Sequence, residues 1–140
     1  MNLIRFKIVL IILKYLHNKK NGKENMSKTA IFAFQGEAIC FSHALLNVLD
    51  LHNKGEEATL IIEGKACSLV KELADPEAPF AGLYKKVKEL GLIGAVCRAC
   101  SAKMGVLEEV TAQNLPLGED LQGHPSWDGY LTRGYTIITL

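Results

Sequence analysis

The chain has 140 residues and a net charge of +1, with 49% apolar and 22% charged side chains. That size and balance suit one globular domain and exclude a disordered or fibrous chain. The charge is uneven: residues 1–25 carry six basic side chains (Arg5, Lys7, Lys14, Lys19, Lys20, Lys23) and one acidic (Glu24), whereas the remainder carries ten basic and fourteen acidic. An acidic body without a basic stripe argues against nucleic acid as the main partner.

The first segment contains an uncharged apolar run only over residues 8–13, between Lys7 and Lys14. A membrane-spanning helix needs roughly 20 mostly apolar residues, so no membrane association is expected. A basic start and a short apolar run faintly suggest a signal peptide, but no small-residue cleavage site follows. Residues 1–26 are therefore expected to be an N-terminal extension. It is either sequence translated upstream of a true start at Met26 or an amphipathic helix, and the domain proper is expected over residues 27–140.

Residues 29–34 (TAIFAF) are a short apolar run ended by Gln35-Gly36-Glu37, the pattern of a buried strand. Phe41, Ala44, Leu45, Val48 and Leu49 recur at helical spacing, with Gly55 as a stop beyond them. Residues 58–62 (ATLII) read as a second strand closed by Glu63-Gly64. Ala66, Leu69, Val70 and Leu73 make a short helix that Asp75-Pro76 ends, and Leu83, Val87 and Leu90 mark another. Residues 92–96 (LIGAV) form a third strand running directly into Cys97. The pattern then predicts a helix over 102–113, a loop from Pro116, a last short helix starting at His124-Pro125, and a closing strand over 135–140. Near-continuous apolar strands alternating with helices indicate an α/β domain, a mostly parallel sheet covered by helices on both faces.

In such sheets, binding sites form at the carboxyl ends of the strands. Those ends carry Gln35 and Glu37, then Glu63 and Lys65, then Cys97. Glu37 and Glu63 can act as acid/base groups or orient a ligand, or serve as solvated loop carboxylates. Lys65 can hold an anion. His124, in a loop expected to return to the same rim, can take a proton from Cys97 or be a plain turn residue. His43 is a weaker candidate beside Cys40.

A disulfide-stapled secreted fold would carry more cysteines in a shorter chain with a weaker core pattern, so four cysteines within a strongly patterned α/β sequence favour a reducing, cytoplasmic setting. Cys40 and Cys67 read as buried packing residues. Cys97 and Cys100 form a C-x-x-C pair at a strand-to-helix junction, where unpaired backbone N–H groups stabilise a thiolate, and Arg98 and Lys103 add positive charge. A thiolate attacks disulfides, takes up sulfane sulfur or binds metal. A closed zinc site needs four ligands, usually from two such pairs or a pair with histidines. With one pair and only His124 to join it, no metal is expected. Neither G-x-G-x-x-G nor G-x-x-x-x-G-K-[ST] occurs, so no nucleotide cofactor is expected, and no G-x-S-x-G elbow is present.

From residue 29 to 140 the chain resembles the DsrE/DsrF/TusD-type family of small sulfur-handling proteins. The resemblance is carried by Val96-Cys97, the small residues from Ala99 to Ala102, basic Lys103, and Gly105-Val106. In that family a cysteine at the end of the fourth strand is followed at the same distance by Gly-Val, and Cys97 matches it. The resemblance implies a flavodoxin-like or Rossmann-like three-layer sandwich of about five strands. It also implies homo- or hetero-oligomers, commonly trimers or hexamers (a homo-oligomer being expected here), and persulfide transfer between sulfur-donor and sulfur-acceptor proteins. Cys100 departs from the pattern, since sulfur transfer there does not need it. Three functions follow as expectations: sulfur relay with a persulfide on Cys97, a Cys97–Cys100 dithiol redox switch, and a non-catalytic oligomeric binding or assembly protein.

Overall fold

In the computed structural model, which describes residues 26–140, the apolar runs become strands of one parallel sheet. Residues 1–25, where most of the expected extension falls, lie outside the described residues. The strands are β1 (Lys28–Ala33), β2 (Glu57–Ile62), β3 (Ile93–Cys97), β4 (Leu117–Gly118) and β5 (Thr136–Thr139). Their order is β4-β3-β2-β1-β5, every neighbour parallel. Residues 29–33 of β1 are all buried, which is why that strand reads as a continuous apolar run rather than an alternating one. β5, at the edge, is mostly exposed.

The helices are α1 (Ala38–Asn53), α2 (Leu69–Glu72) preceded by a 3-10 turn (Gly64–Ser68), α3 (Ala81–Glu89), α4 (Arg98–Lys103), α5 (Leu107–Ala112) and α6 (Asp128–Leu131). α1 buries Phe41, Ala44, Leu45, Val48 and Leu49, the apolar stripe legible in the sequence. Each large side chain so buried contributes about 1.5–3 kcal/mol.

From β1 to β4 each new strand is added on the same side of the last. Right-handed crossovers therefore deliver α1 to α5 to one face of the sheet. That face holds the larger core, where Ile31, Leu60 and Ile62 meet Leu45, Tyr84 and Val110. Only the connection from β4 to β5 runs back across the sheet, and it covers the other face. There Ala30, Phe32, Ile61 and Ala95 lie beneath Tyr130 and Tyr135. The result is a flavodoxin-like three-layer α/β sandwich whose third layer is thin.

This asymmetry positions the site. The connections leaving β3 and β4 depart to opposite faces, which makes their carboxyl ends a topological switch point with a crevice between them. Cys97 is the last residue of β3, at that crevice.

Three local expectations differ from the structure. The single helix over 102–113 is two six-residue helices. Gly105 (φ +69°) takes the left-handed conformation, so its N–H bonds to Ala102 O (3.1 Å) and the Val106 N–H to Ser101 O (2.9 Å), closing α4 with a glycine cap. The loop after Pro116 begins with the two-residue strand β4. The last helix starts at Asp128 rather than His124, because His124 closes a turn with Leu121.

Candidate thiol and histidine site

No loop separates β3 from α4: Cys97 ends the strand and is the N-cap of the helix. Its Sγ accepts the Cys100 N–H at 3.3 Å. Cys97 is fully buried, whereas Cys100 is half-buried. Of the pair, the accessible thiol is therefore Cys100.

His124 is delivered from the far side by the loop after β4. Arg98 pairs with Glu119 at 3.2 Å, and the Ala99 N–H donates to Gly123 O at 2.9 Å, which ties the loop to the first turn of α4. The Leu121 N–H donates to His124 O (2.8 Å), the His124 N–H to Leu121 O (2.9 Å), and the Ser126 N–H to Asp120 Oδ1 (3.0 Å). Gly118 makes this fold-over possible, since a Cβ there would stand 2.6 Å from Pro125 Cγ and 3.1 Å from the Ala95 side chain. The His124 Nδ1 consequently lies 3.1 Å from Cys97 Sγ and 3.8 Å from Cys100 Sγ.

The fourth member is Glu63, immediately after the neighbouring strand β2. It is only 6% exposed, and its Oε1 is buried with no hydrogen-bond partner among the described residues. Donor atoms of Glu63, Cys97, Cys100 and His124 all lie within 4.8 Å of one another.

Electrostatically this is a crowd of acids. Burial pushes the Cys97 thiol up to about 12; the nearby Cys100 and Glu63 side chains add to the rise, while the Cys100 N–H opposes it. The thiolate expected at the helix start is thus not favoured, because one N–H reaches the sulfur and burial outweighs it. Burial also raises Glu63 above its ordinary value, with His124 pulling the other way. Cys67, behind the site, is pushed up to about 12, chiefly by burial, and donates to Ile62 O at 3.5 Å. Among the described residues no imidazole nitrogen is in hydrogen-bond reach of it, and its packing role was expected.

Two clefts flank His124. One, of about 390 Å³, is walled by Cys100, Lys65, Lys103 and Met104. The other, of about 640 Å³, is walled by Glu63, Phe34 and Trp127. Among residues expected at the site, Cys97, Cys100, Glu63, His124 and Lys65 come together. Gln35 and Glu37 stay exposed at the end of β1, outside the four-donor cluster, and Glu37 accepts a hydrogen bond from Cys40 Sγ at 3.5 Å. His43 is exposed on α1. Sequence reasoning missed Met104 and Gly118. The only signal for Gly118 is a glycine shortly before a Pro-containing loop.

No family model matches the chain. Over 134 residues it is 32% identical to an uncharacterized protein of Methanocaldococcus jannaschii, covering 96% of this chain and 95% of that one. It is 44% identical over 48 residues to an uncharacterized protein of Archaeoglobus fulgidus, 34% of this chain and 79% of that protein. Among solved structures, a conserved protein of unknown function from Bacteroides thetaiotaomicron matches with a TM-score of 0.53 and 17% identity. That match covers 79% of this chain and 94% of the other, a likeness of fold alone.

Proposed function

The chain belongs to the same family as the Methanocaldococcus jannaschii protein, and we propose that it is a thiol-dependent sulfur carrier of the DsrE-like kind, acting in the cytoplasm. The observation that carries this reading is the convergence of a buried thiol, a half-buried thiol and an imidazole, with Cys97 Sγ 3.1 Å from His124 Nδ1. Cys100 walls a cleft whose rim also bears Lys65 and Lys103, a setting suited to an anionic sulfane donor.

The Cys100 thiolate attacks the sulfane sulfur of a persulfide or thiosulfate donor, forming Cys100–S–SH (or its anion) and releasing the donor's thiolate or sulfite. His124 Nδ1 takes the Cys97 proton. The Cys97 thiolate then attacks the outer sulfur, which leaves Cys97–S–SH and frees the Cys100 thiolate. Burial of Cys97 shields the carried sulfur from reductants. An acceptor protein and a homo-oligomeric assembly complete the relay.

Trypsin cleaves after Arg98 and so separates the two cysteines. Reduced protein incubated with cysteine persulfide and digested should gain about 32 Da on the peptide ending at Arg98. In a Cys97→Ser variant the gain should move to the peptide bearing Cys100. An unmodified site in protein that loads Cys40 alone would overturn the proposal. A loss of two hydrogens shared between the peptides, with no sulfur gained, would instead establish the dithiol switch.

A further inference from the structure

A buried carboxylate oxygen without a partner is costly, on the order of 1–3 kcal/mol, and is retained where a ligand satisfies it. Glu63 Oε1 is such an atom, and a carboxylate oxygen of Glu63 lies within 4.8 Å of donor atoms of Cys97, Cys100 and His124. The sequence offers only one C-x-x-C pair, which led to the expectation of no metal. The fold supplies the two missing donors from elsewhere, one from the end of β2 and one from the loop that crosses β4.

We propose that Glu63, Cys97, Cys100 and His124 form a four-donor site for a borderline-soft divalent cation of the zinc type. Two thiolates, one neutral imidazole and one carboxylate are donors that zinc accepts in tetrahedral array, and they do not suit magnesium or calcium. With zinc–sulfur bonds near 2.3 Å and zinc–nitrogen bonds near 2.0–2.1 Å, a sulfur-to-nitrogen edge of the tetrahedron is about 3.6 Å. The two such edges here are 3.1 and 3.8 Å, on either side of that value, and all four donor atoms lie within 4.8 Å of one another. Binding releases the two thiol protons and the carboxyl proton, where Glu63 holds one, to solvent. The remaining charges, two thiolates and a carboxylate, exceed the dication by one, and Lys65 and Lys103 stand at the adjoining cleft. All four positions are filled by protein, as in a structural rather than an open catalytic site. The site goes beyond the sulfur-carrier reading and does not rest on it.

The test is titration of the reduced, chelator-treated full chain with cobalt(II), followed by its absorption. One equivalent should produce thiolate-to-cobalt charge transfer in the near ultraviolet and the intense visible bands of tetrahedral cobalt. Zinc should abolish both, and excess magnesium should abolish neither. Glu63→Gln should keep the charge transfer but weaken affinity by at least about 10–100-fold, the loss typical of altering a group that merely supports a metal ligand. Cys100→Ser should lose part of the charge transfer, and Cys40→Ser none. Circular dichroism confirms that each variant is folded. Weak octahedral bands without charge transfer, or affinity unchanged in folded Glu63→Gln, would overturn the site, and neither result bears on persulfide loading.

Discussion

Two glutamates bracket β2, and their fates are opposite. Glu57 begins the strand, accepts a hydrogen bond from the Tyr135 hydroxyl and pairs with Lys28 at 3.1 Å. The Tyr135 hydroxyl foremost, then Lys28, holds its carboxyl below the usual carboxylate range. Glu63, just past the other end, is buried, has a partnerless oxygen and is pushed up by burial. Residue type is the same, so the environment decides. At the amino end of the sheet polar groups neutralise one another in solvent, a local solution that asks for nothing more. At the carboxyl end the acids are gathered with one imidazole and, among the described residues, no ion-paired cation, so part of their bonding capacity is left for a ligand.

The largest expected effect comes from dismantling the loop that creates the second environment. Gly118→Ala forces a Cβ against Pro125 and should destabilise the fold by about 1–3 kcal/mol in urea unfolding. It should also weaken cobalt binding, because His124 is carried on the same loop. Next, replacing the two glutamates should have opposite signs. Glu63→Leu in chelator-treated protein should raise stability by about 1 kcal/mol, since an unpaired buried carboxyl is removed. Glu57→Leu should lower it. Equal signs would break the comparison.

The smallest effect is on the pH dependence of stability. Glu63 is raised above its ordinary value of 4.5, so its folded form binds a proton more tightly than its unfolded form. The stability it contributes is present below pH 4.5 and is lost as pH rises through the folded value. Glu57 is lowered from the same value, so its contribution is present above pH 4.5 and is lost on acidification through its folded value. In thermal melts of chelator-treated protein, Glu63→Gln should remove a decline in stability as pH rises above 4.5, and Glu57→Gln should remove part of the gain in stability as pH rises toward 4.5. Glu57 is solvent-exposed, so its gain should be the shallower and should fade with salt.

The frame was legible because strand burial writes itself into sequence: β1 and β2 are apolar on both faces, and α1 repeats its stripe at helical spacing. The strand-end rule then located Cys97, Glu63 and Lys65 on one rim. What composition and spacing do not encode is the return of the chain across the sheet. β4 is two residues long, too short to leave an apolar run, and the loop behind it is shaped by hydrogen bonds such as that from Ala99 N–H to Gly123 O. His124 was expected on that rim, but how closely it approaches the two sulfurs depends on this loop, and Gln35 and Glu37 shared the rim without joining the cluster. The thiolate at Cys97 was misjudged for a similar reason: helix-start N–H groups are local and visible in sequence, whereas burial among Glu63, Cys67 and Cys100 is a property of the whole fold.

The central claim is that residues from β2, β3, α4 and the loop after β4 act as one thiol centre. Its most direct test is persulfide loading of the chelator-treated protein beside the same protein carrying one equivalent of zinc, each digested and weighed. The account predicts a gain of about 32 Da on the Cys97 peptide without zinc and no gain with it, because cation and sulfur would use the same thiolates. Equal loading of that peptide in the two samples, with zinc shown to be bound, would contradict it.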